Sequence, residues 1–221
     1  MKILAEALLK FIAGIVLVGL LVFLPAGSVC YMEGWLLMGV LFIPMLAGGV
    51  VLLLKRPALL KKRLNGKEKL REQGVVVKLS GLMFVVGFVV AGLDHRYGWL
   101  PLPRWISLVA AAIFLLAYGL YAEVLRENVY LSRTIEVQEG QTVLDTGLYV
   151  IVRHPMYAAT ILLFWSIPFI LGSLWSFLIF SSYPVIIVVR IKSEEKLLEK
   201  DLSGYAAYKE RVPYRLVPFI W

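Results

Sequence analysis

The stretch YAATILLFWSIPFILGSLWSFLIFSSYPVIIVVR, residues 157–190, decides the fold class of this chain. It is apolar throughout apart from a few turn-forming residues. Because an α-helix rises ~1.5 Å per residue and a bilayer core is ~30 Å thick, the stretch is too long for one crossing and just long enough for two short helices. Gly172 and Ser173 lie near its middle and favour a turn. We therefore predict a helical hairpin that turns at these two residues.

Further apolar runs precede this hairpin, each close to the ~20 residues that a membrane helix needs. They cover roughly residues 3–24, 33–54, 78–94 and 105–125. The composition agrees, since 60% of the 221 residues are apolar and 17% are charged, against about 45–50% and 25% in soluble domains. We predict an all-α integral membrane protein with about six transmembrane segments, the last two forming the hairpin.

The basic residues predict the orientation of the segments. With the N-terminus in the cytoplasm, all of the 23 lysines and arginines except Arg96 and Arg104 fall on the cytoplasmic side. Cytoplasmic loops carry such an excess of positive charge. We therefore predict that both termini and the loops at 55–78 and 126–153 are cytoplasmic. Aromatic rings that favour the headgroup level then lie near the outer ends of their segments: Trp35, Trp99, Trp105 and Trp175.

Cysteine and histidine are too scarce for several classes of site. The single Cys30 permits no disulfide within the chain and no cysteine-based zinc site, and two histidines are too few for a metal cluster. We predict no metal site. Membrane topology accounts for the net charge of +8, so we predict no nucleic-acid partner, and the sequence indicates no protein partner.

The first thirty residues allow two interpretations. A basic start, a long apolar run and the small residues Ala26-Gly27-Ser28 ahead of Cys30 resemble a secretory signal. Val29, however, occupies a position where a lipoprotein cleavage site has a small residue. We interpret the segment as a membrane helix that is retained.

The polar residues divide the chain into two regions. We predict that residues 1–125 form four N-terminal transmembrane helices and that residues 126–221 form a functional region with the cytosolic loop, the helical hairpin and a C-terminal cytosolic segment. The loop at 55–78 is basic, and we interpret it as a topology determinant lying against anionic lipid. The loop at 126–153 mixes polar and apolar residues, and a loop of this length in a compact protein is more often functional.

The chemistry-bearing residues are predicted to converge at the two ends of the hairpin. Pro155 suits the first position of a helix, so His154 lies where free backbone N–H groups favour an anionic ligand. Beyond the second arm, Arg190 and Glu195 follow on a helix that leaves the membrane. Each residue alone also fits a simpler role, a snorkelling cation or a solvated helix face. Because both ends return to one side, we expect His154, Tyr157, Arg190 and Glu195 to meet there.

The order of these residues and of several short motifs resembles the isoprenylcysteine carboxyl methyltransferase family of integral membrane enzymes and, more widely, the phospholipid methyltransferases. The likeness covers about residues 128–220. The matching motifs are Thr146-Gly147-Leu148-Tyr149, Arg153-His154-Pro155-Met156-Tyr157, Glu194-Glu195 with Leu197-Leu198, Gly204-Tyr205-Ala206-Ala207-Tyr208 and Val212-Pro213. The resemblance implies a helical membrane fold that binds S-adenosylmethionine at its cytosolic end and methylates a lipid-borne group.

The resemblance also implies roles for individual residues. Arg190 matches the arginine that contacts the substrate, and we take it as the candidate catalytic residue. The positions that match cofactor-binding residues are Gln141, Thr142, Val143, Leu144, Tyr149, His154, Pro155, Met156, Tyr157 and Glu195. Many family members have His where this chain has Gln141. The Gly-x-Gly element of the phospholipid enzymes is missing from the sequence.

The chemistry favours carboxyl O-methylation of an isoprenylcysteine-like or other lipid-tailed acceptor. A carboxylate is already ionised at neutral pH, and a guanidinium such as that of Arg190 can hold it through two hydrogen bonds. One alternative is a phospholipid N-methyltransferase. Another is an NADPH-dependent oxidoreductase of the sterol-reductase kind, for whose phosphates Arg153, Arg190 and Lys192 are partial candidates. A transporter is disfavoured because the four N-terminal runs carry no ionisable residue at mid-span.

Overall fold

A computed structural model describes residues 2–64, 71–131 and 137–221, and within these ranges the chain is helical and contains no strand. The helices are α1 (Lys2–Ala26), α2 (Met32–Lys55), α3 (Pro57–Leu64), α4 (Arg71–Tyr97), α5 (Arg104–Glu127), α6 (Pro155–Ile170), α7 (Leu174–Phe180), α8 (Tyr183–Asp201) and α9 (Tyr205–Arg211), with a 3₁₀ turn at Gly147–Val150 before α6.

Five stretches in the described part of the chain are long and apolar enough to cross a membrane. They are Ile3–Ala26, Met32–Lys55, Gly74–Tyr97, Arg104–Glu127 and Leu174–Asp201. The remaining predicted segment, the first arm of the hairpin, is the shorter apolar helix α6, which has 16 residues. The predicted class, an all-α integral membrane protein, is confirmed, and the four N-terminal segments lie within a few residues of their predicted bounds.

The hairpin turns at Gly172 and Ser173, as predicted. Gly172 has a φ of +69°, a conformation that favours glycine. The hydroxyl of Ser173 caps α7 by accepting a hydrogen bond from the backbone N–H of Ser176, at 3.1 Å. It also donates to the buried carboxylate of Asp94 on α4, at 2.5 Å. The end of α4 and the hairpin turn therefore lie at the same end of the bundle.

The second arm of the hairpin is interrupted, which the sequence analysis did not predict. The chain leaves α7 through a turn at Ser181 and Ser182 and enters α8 with Pro184 in its first turn. Proline lacks a backbone N–H and is tolerated there without loss of a helical hydrogen bond. The break therefore falls just before the proline.

Glycines allow α4 to approach its neighbours closely. A Cβ atom on Gly92 would lie 2.7 Å from the backbone oxygen of Val22 on α1. A Cβ atom on Gly87 would overlap the ring of Phe180 on α7. Phe180 in turn packs edge-to-face against Phe84, with ring centroids 5.4 Å apart. The core of the bundle lies between α1, α2, α4, α5 and the hairpin.

The described part of the basic loop at 55–78 makes specific contacts besides carrying positive charge. Arg56 donates a hydrogen bond to the backbone oxygen of Arg126 at the end of α5, at 3.0 Å. Lys62 on α3 donates to the side-chain oxygen of Gln138. The loop that we interpreted as a topology determinant is therefore also tied to the second polar loop.

Substituting Gly92 tests the close packing of α1 on α4. We expect Gly92→Ala to lower the free energy of unfolding by ~1–3 kcal/mol, the usual cost of overpacking, because the added methyl group meets backbone atoms that cannot rotate away. The measurement is thermal unfolding in detergent. Gly81→Ala on the same helix is the matched control, since nothing lies within 4 Å of its Cβ position. Equal melting temperatures for the two variants would contradict the packing.

Cysteine labelling tests the predicted orientation. In a Cys30→Ala background we expect Lys61→Cys to be labelled from the cytoplasmic side and Leu100→Cys from the opposite side, because the basic residues predict this sidedness. Both positions are exposed, with Leu100 at 44%. The measurement uses a membrane-impermeant maleimide on intact cells and on permeabilised cells. Labelling of both cysteines from one side would refute the orientation.

Candidate active site

A cavity opens at the end of the bundle opposite the hairpin turn. Three parts of the chain enclose it: the polar loop before α6, the first turn of α6, and the C-terminal half of α8 with the start of α9. The lining residues are Asn128, Tyr130, Leu131, Gln141, Thr142, Val143, Leu144, Tyr149, Arg153, His154, Met156, Tyr157, Arg190, Glu194, Leu197, Leu198, Leu202, Tyr205 and Tyr208.

Most of the predicted site residues meet in this cavity. Gln141, Thr142, Val143, Leu144, Tyr149, His154, Met156, Tyr157 and Arg190 line it. Pro155 is buried at the first position of α6, as predicted, but it is not among the residues that line the cavity. Glu195 is also outside the lining. The roles of these residues in binding and catalysis stay predictions.

The carboxylate of Glu195 is buried and surrounded by cationic side chains. Its Oε1 accepts a hydrogen bond from Nε of Arg153 at 2.8 Å and lies 3.3 Å from Nε2 of His154. Its Oε2 accepts from Nε of Arg215 at 2.9 Å. Glu195 is 4% exposed. Both oxygens therefore have partners within the protein, and the cofactor-binding role predicted for Glu195 stays a prediction.

Further hydrogen bonds attach the segment that follows α9 to the residues that enter α6. The backbone N–H of Arg153 donates to the carbonyl of Tyr214, and that of His154 to the carbonyl of Arg215, both at 2.9 Å. A guanidinium nitrogen of Arg153 also donates to the carbonyl of Val212, at 2.6 Å. Residues far from the hairpin in sequence therefore fix the conformation of the residues that line the cavity.

Three further polar side chains line the cavity and bond to one another: Tyr157, Glu194 and Arg190. The hydroxyl of Tyr157 donates to the carboxylate of Glu194 at 2.6 Å, and Nε of Arg190 donates to the same hydroxyl at 2.9 Å. Arg190 and Glu194 stand one turn apart on α8, so their side chains share a face. Glu194 is thus the carboxylate that lines the cavity, whereas the sequence analysis chose its neighbour Glu195.

The 3₁₀ turn positions Tyr149 at the cavity wall. Asn128 donates a side-chain hydrogen bond to the hydroxyl of Tyr149, and the hydroxyl of Tyr208 donates to its carbonyl, both at 2.7 Å. Burial raises the pKa of Tyr149, and it raises that of Tyr208 to about 12. Both phenols therefore remain protonated at neutral pH and can act as donors.

Gly147 allows the 3₁₀ turn to form against the end of α5. It adopts a φ of +53°, and a side chain there would overlap the carboxylate of Glu127. That carboxylate accepts a hydrogen bond from the backbone N–H of Leu148, at 3.1 Å. The Thr-Gly-Leu-Tyr motif thus has a steric basis in this structure.

The polar loop covers the cavity through contacts among its own residues. Gln138 donates its backbone N–H to the side-chain oxygen of Gln141 at 2.9 Å and its side-chain amide to the carbonyl of Tyr130 at 2.6 Å. These bonds orient Gln141 and bring Thr142–Leu144 to the wall. Among the residues that the structure describes, no group of three metal-ligating side chains comes together.

Several lining residues were missed by the sequence analysis. Arg153 was considered only for the phosphates of an alternative cofactor, while Glu194, Tyr205 and Tyr208 stood in quoted motifs without a role in the site. Asn128 received no role either. Arg153 and Glu194 are next to predicted site residues in the sequence, and Tyr205 and Tyr208 were marked only by the motif that contains them. Neither signal says which side chains face the cavity.

The fold and the cavity define a multi-pass membrane protein with a polar site at one end, and comparison with known proteins finds a family model that matches part of the chain. Residues 105–203 match the family model for phospholipid methyltransferase, PEMT, a family of integral membrane methyltransferases that includes the isoprenylcysteine carboxyl methyltransferases. The family resemblance inferred from the sequence is confirmed over these residues.

A second comparison finds a reductase. The chain is 31% identical over 91 residues to Delta(14)-sterol reductase TM7SF2 of Mus musculus, a match that covers 40% of this chain and 22% of the reductase. The chain thus spans about a fifth of the length of that relative.

Substituting Glu195 tests its structural role. We expect Glu195→Gln to lower the free energy of unfolding by ~3 kcal/mol, because Arg153 is left buried without its counter-charge. The measurement is thermal unfolding in detergent without added ligand. Glu199→Gln is the matched control, since Glu199 pairs with Lys209 at the surface and exposed pairs contribute little. An equally small effect of both substitutions would contradict the role of Glu195.

Proposed function

We propose that this protein is an S-adenosylmethionine-dependent membrane methyltransferase, and that it methylates the carboxylate of an isoprenylcysteine-like or other lipid-tailed acceptor. The family match over residues 105–203 supports methyl transfer in a membrane. The finer assignment rests on one observation, the guanidinium of Arg190 and the carboxylate of Glu194 held on either side of the Tyr157 hydroxyl inside the cavity.

The residues of the cavity fit S-adenosylmethionine. The carboxylate of Glu194 suits a cationic amine, and Arg153 with the first turn of α6 suits a carboxylate. The rings of Tyr149 and Tyr157 offer aromatic faces to a sulfonium. The remaining residues predicted to bind are Gln141, Thr142, Val143, Leu144, His154, Pro155 and Met156, while Glu195 acts by holding Arg153 and His154 in place.

When bound, S-adenosylmethionine supplies a methyl group activated by the sulfonium. A carboxylate acceptor is ionised at neutral pH, so the site need not remove a proton from it. The contribution of the protein is then to align the acceptor oxygen and to exclude water. Arg190 is suited to this alignment because its planar guanidinium can bind a carboxylate in a fixed orientation.

The acceptor is proposed to enter from the membrane. The cavity lies where α6 and α8 leave the apolar part of the bundle, so a lipid tail can stay in the bilayer while its polar head reaches Arg190. We propose that this end of the bundle is cytoplasmic, together with both termini, and that residues 126–221 form the catalytic region beside the four helices of residues 1–125.

Two other functions receive some support. The match to a sterol reductase favours an NADPH-dependent oxidoreductase. Such a cofactor needs cations for its phosphates, and among the described residues that line the cavity the arginines are Arg153 and Arg190. The match to the phospholipid methyltransferase model favours phospholipid N-methylation. An amine acceptor carries no negative charge on its reacting nitrogen, so a guanidinium would not bind that end of it.

Replacing Arg190 separates acceptor alignment from cofactor binding. We expect Arg190→Lys to keep its affinity for S-adenosylhomocysteine while methyl transfer to a prenylated cysteine acid falls ~100-fold, because Lys keeps the charge but loses the planar donor pair. The measurements are calorimetry and transfer of a labelled methyl group. Phosphatidylethanolamine is tested as acceptor in the same assay.

Lys192→Arg is the matched control, since it exchanges the same residue types at an exposed position of α8. Unchanged transfer in Arg190→Lys would mean that Arg190 only snorkels to the surface. Loss of both affinity and transfer would move Arg190 into the cofactor site. Preferred methylation of phosphatidylethanolamine by the wild type would replace O-methylation with N-methylation.

A further inference from the structure

Tyr205 is a buried cavity residue, and its hydroxyl has no hydrogen-bond partner among the residues that the structure describes. It opens α9, directly after Gly204 with a φ of +83°, and it is 4% exposed. Its ring belongs to the small apolar cluster formed with Leu202 and Tyr208. Within residues 2–64, 71–131 and 137–221, its hydroxyl oxygen pairs with no protein atom, although the residue lines the cavity. Buried hydroxyl groups in proteins are nearly always hydrogen-bonded.

The hydroxyl of Tyr208, on the same helix, has a structural role that the hydroxyl of Tyr205 does not share. Tyr208 stands one turn away, and the two rings lie 5.8 Å apart. Its hydroxyl donates to the carbonyl of Tyr149 and so supports the 3₁₀ turn. Packing accounts for the ring of Tyr205 as it does for that of Tyr208, but no contact within the described protein accounts for the hydroxyl of Tyr205.

Tyr205 shares the wall of the cavity with the charged residues Arg153 and Glu194. Burial raises the pKa of its phenol, the carboxylates of Glu195 and Glu194 raise it further, and Arg153 lowers it. The phenol stays protonated at neutral pH, so it can both donate and accept a hydrogen bond.

We propose that the hydroxyl of Tyr205 hydrogen-bonds to the amino-acid end of the bound nucleoside cofactor. This inference rests on the proposed function. The methionine part of S-adenosylmethionine carries an ammonium and a carboxylate, and a hydroxyl can pair with either group. Glu194 and Arg153 border the same end of the cavity and complement the same two charges. The cofactor thus supplies the partner that the fold does not.

Tyr205 would therefore be a specificity residue and not a catalytic one. It would favour ligands that carry the amino-acid end over nucleosides that lack it. 5′-Methylthioadenosine is such a nucleoside, since it keeps the adenosine and the thioether but has neither the ammonium nor the carboxylate.

The test compares two ligands on one substitution. Calorimetry of the purified full chain in detergent measures the affinity of wild type and Tyr205→Phe for S-adenosylhomocysteine and for 5′-methylthioadenosine. We expect S-adenosylhomocysteine to bind about tenfold more weakly to Tyr205→Phe, as loss of a hydrogen bond to a charged group implies. The affinity for 5′-methylthioadenosine should not change. The ratio of the two affinities is insensitive to any unfolded fraction of the variant.

Tyr208→Phe is the matched control. It removes a hydroxyl bonded within the protein, so it should lower the melting temperature, whereas Tyr205→Phe should leave the melting temperature of the ligand-free protein unchanged. Equal weakening of both ligands by Tyr205→Phe, or no weakening, would overturn the proposal. If the wild type binds neither nucleoside, the proposed function itself fails and this inference falls with it.

Discussion

The buried carboxylate of Glu195 is the interaction on which the site depends. Moving a carboxylate out of water is costly unless cations and hydrogen bonds replace the lost solvent. Here Arg153 and Arg215 bind the two oxygens, and His154 lies beside one of them. These partners come from the entry of α6 and from the C-terminal segment, so one side chain of α8 holds three parts of the chain together. The cavity lies against this cluster, and the cluster holds the residues of the cavity wall in position.

A second carboxylate fixes the other end of the same hairpin. Asp94 on α4 accepts a hydrogen bond from Ser173 at the turn, and its other oxygen accepts from the backbone N–H of Leu100. Between the two ends, glycines on α4 let the helices pack at short distance. The hairpin is thus held at the turn, along its length and at its exit. A rigid support of this kind is what precise alignment of two reactants needs.

The sequence predicted the spans because an apolar run in lipid has few alternatives to a helix. It predicted the meeting of His154, Tyr157 and Arg190 because both ends of a hairpin return to one side of the membrane. It placed Glu195 and not Glu194 in the site, because neighbours on a helix point about 100° apart and the sequence does not show which of the two faces the cavity. The backbone hydrogen bond from Arg153 to Tyr214, and the lack of a partner for the Tyr205 hydroxyl within the described residues, depend on tertiary contacts that no local pattern encodes.

The central claim is that the cavity binds a sulfonium nucleoside. Thermal unfolding of the purified protein with S-adenosylhomocysteine or with NADPH tests it most directly, because a ligand at ~100 times its dissociation constant stabilises the folded state by ~2.7 kcal/mol. The account predicts that S-adenosylhomocysteine raises the melting temperature and that NADPH leaves it unchanged. Stabilisation by NADPH without stabilisation by S-adenosylhomocysteine would contradict the account and favour a reductase.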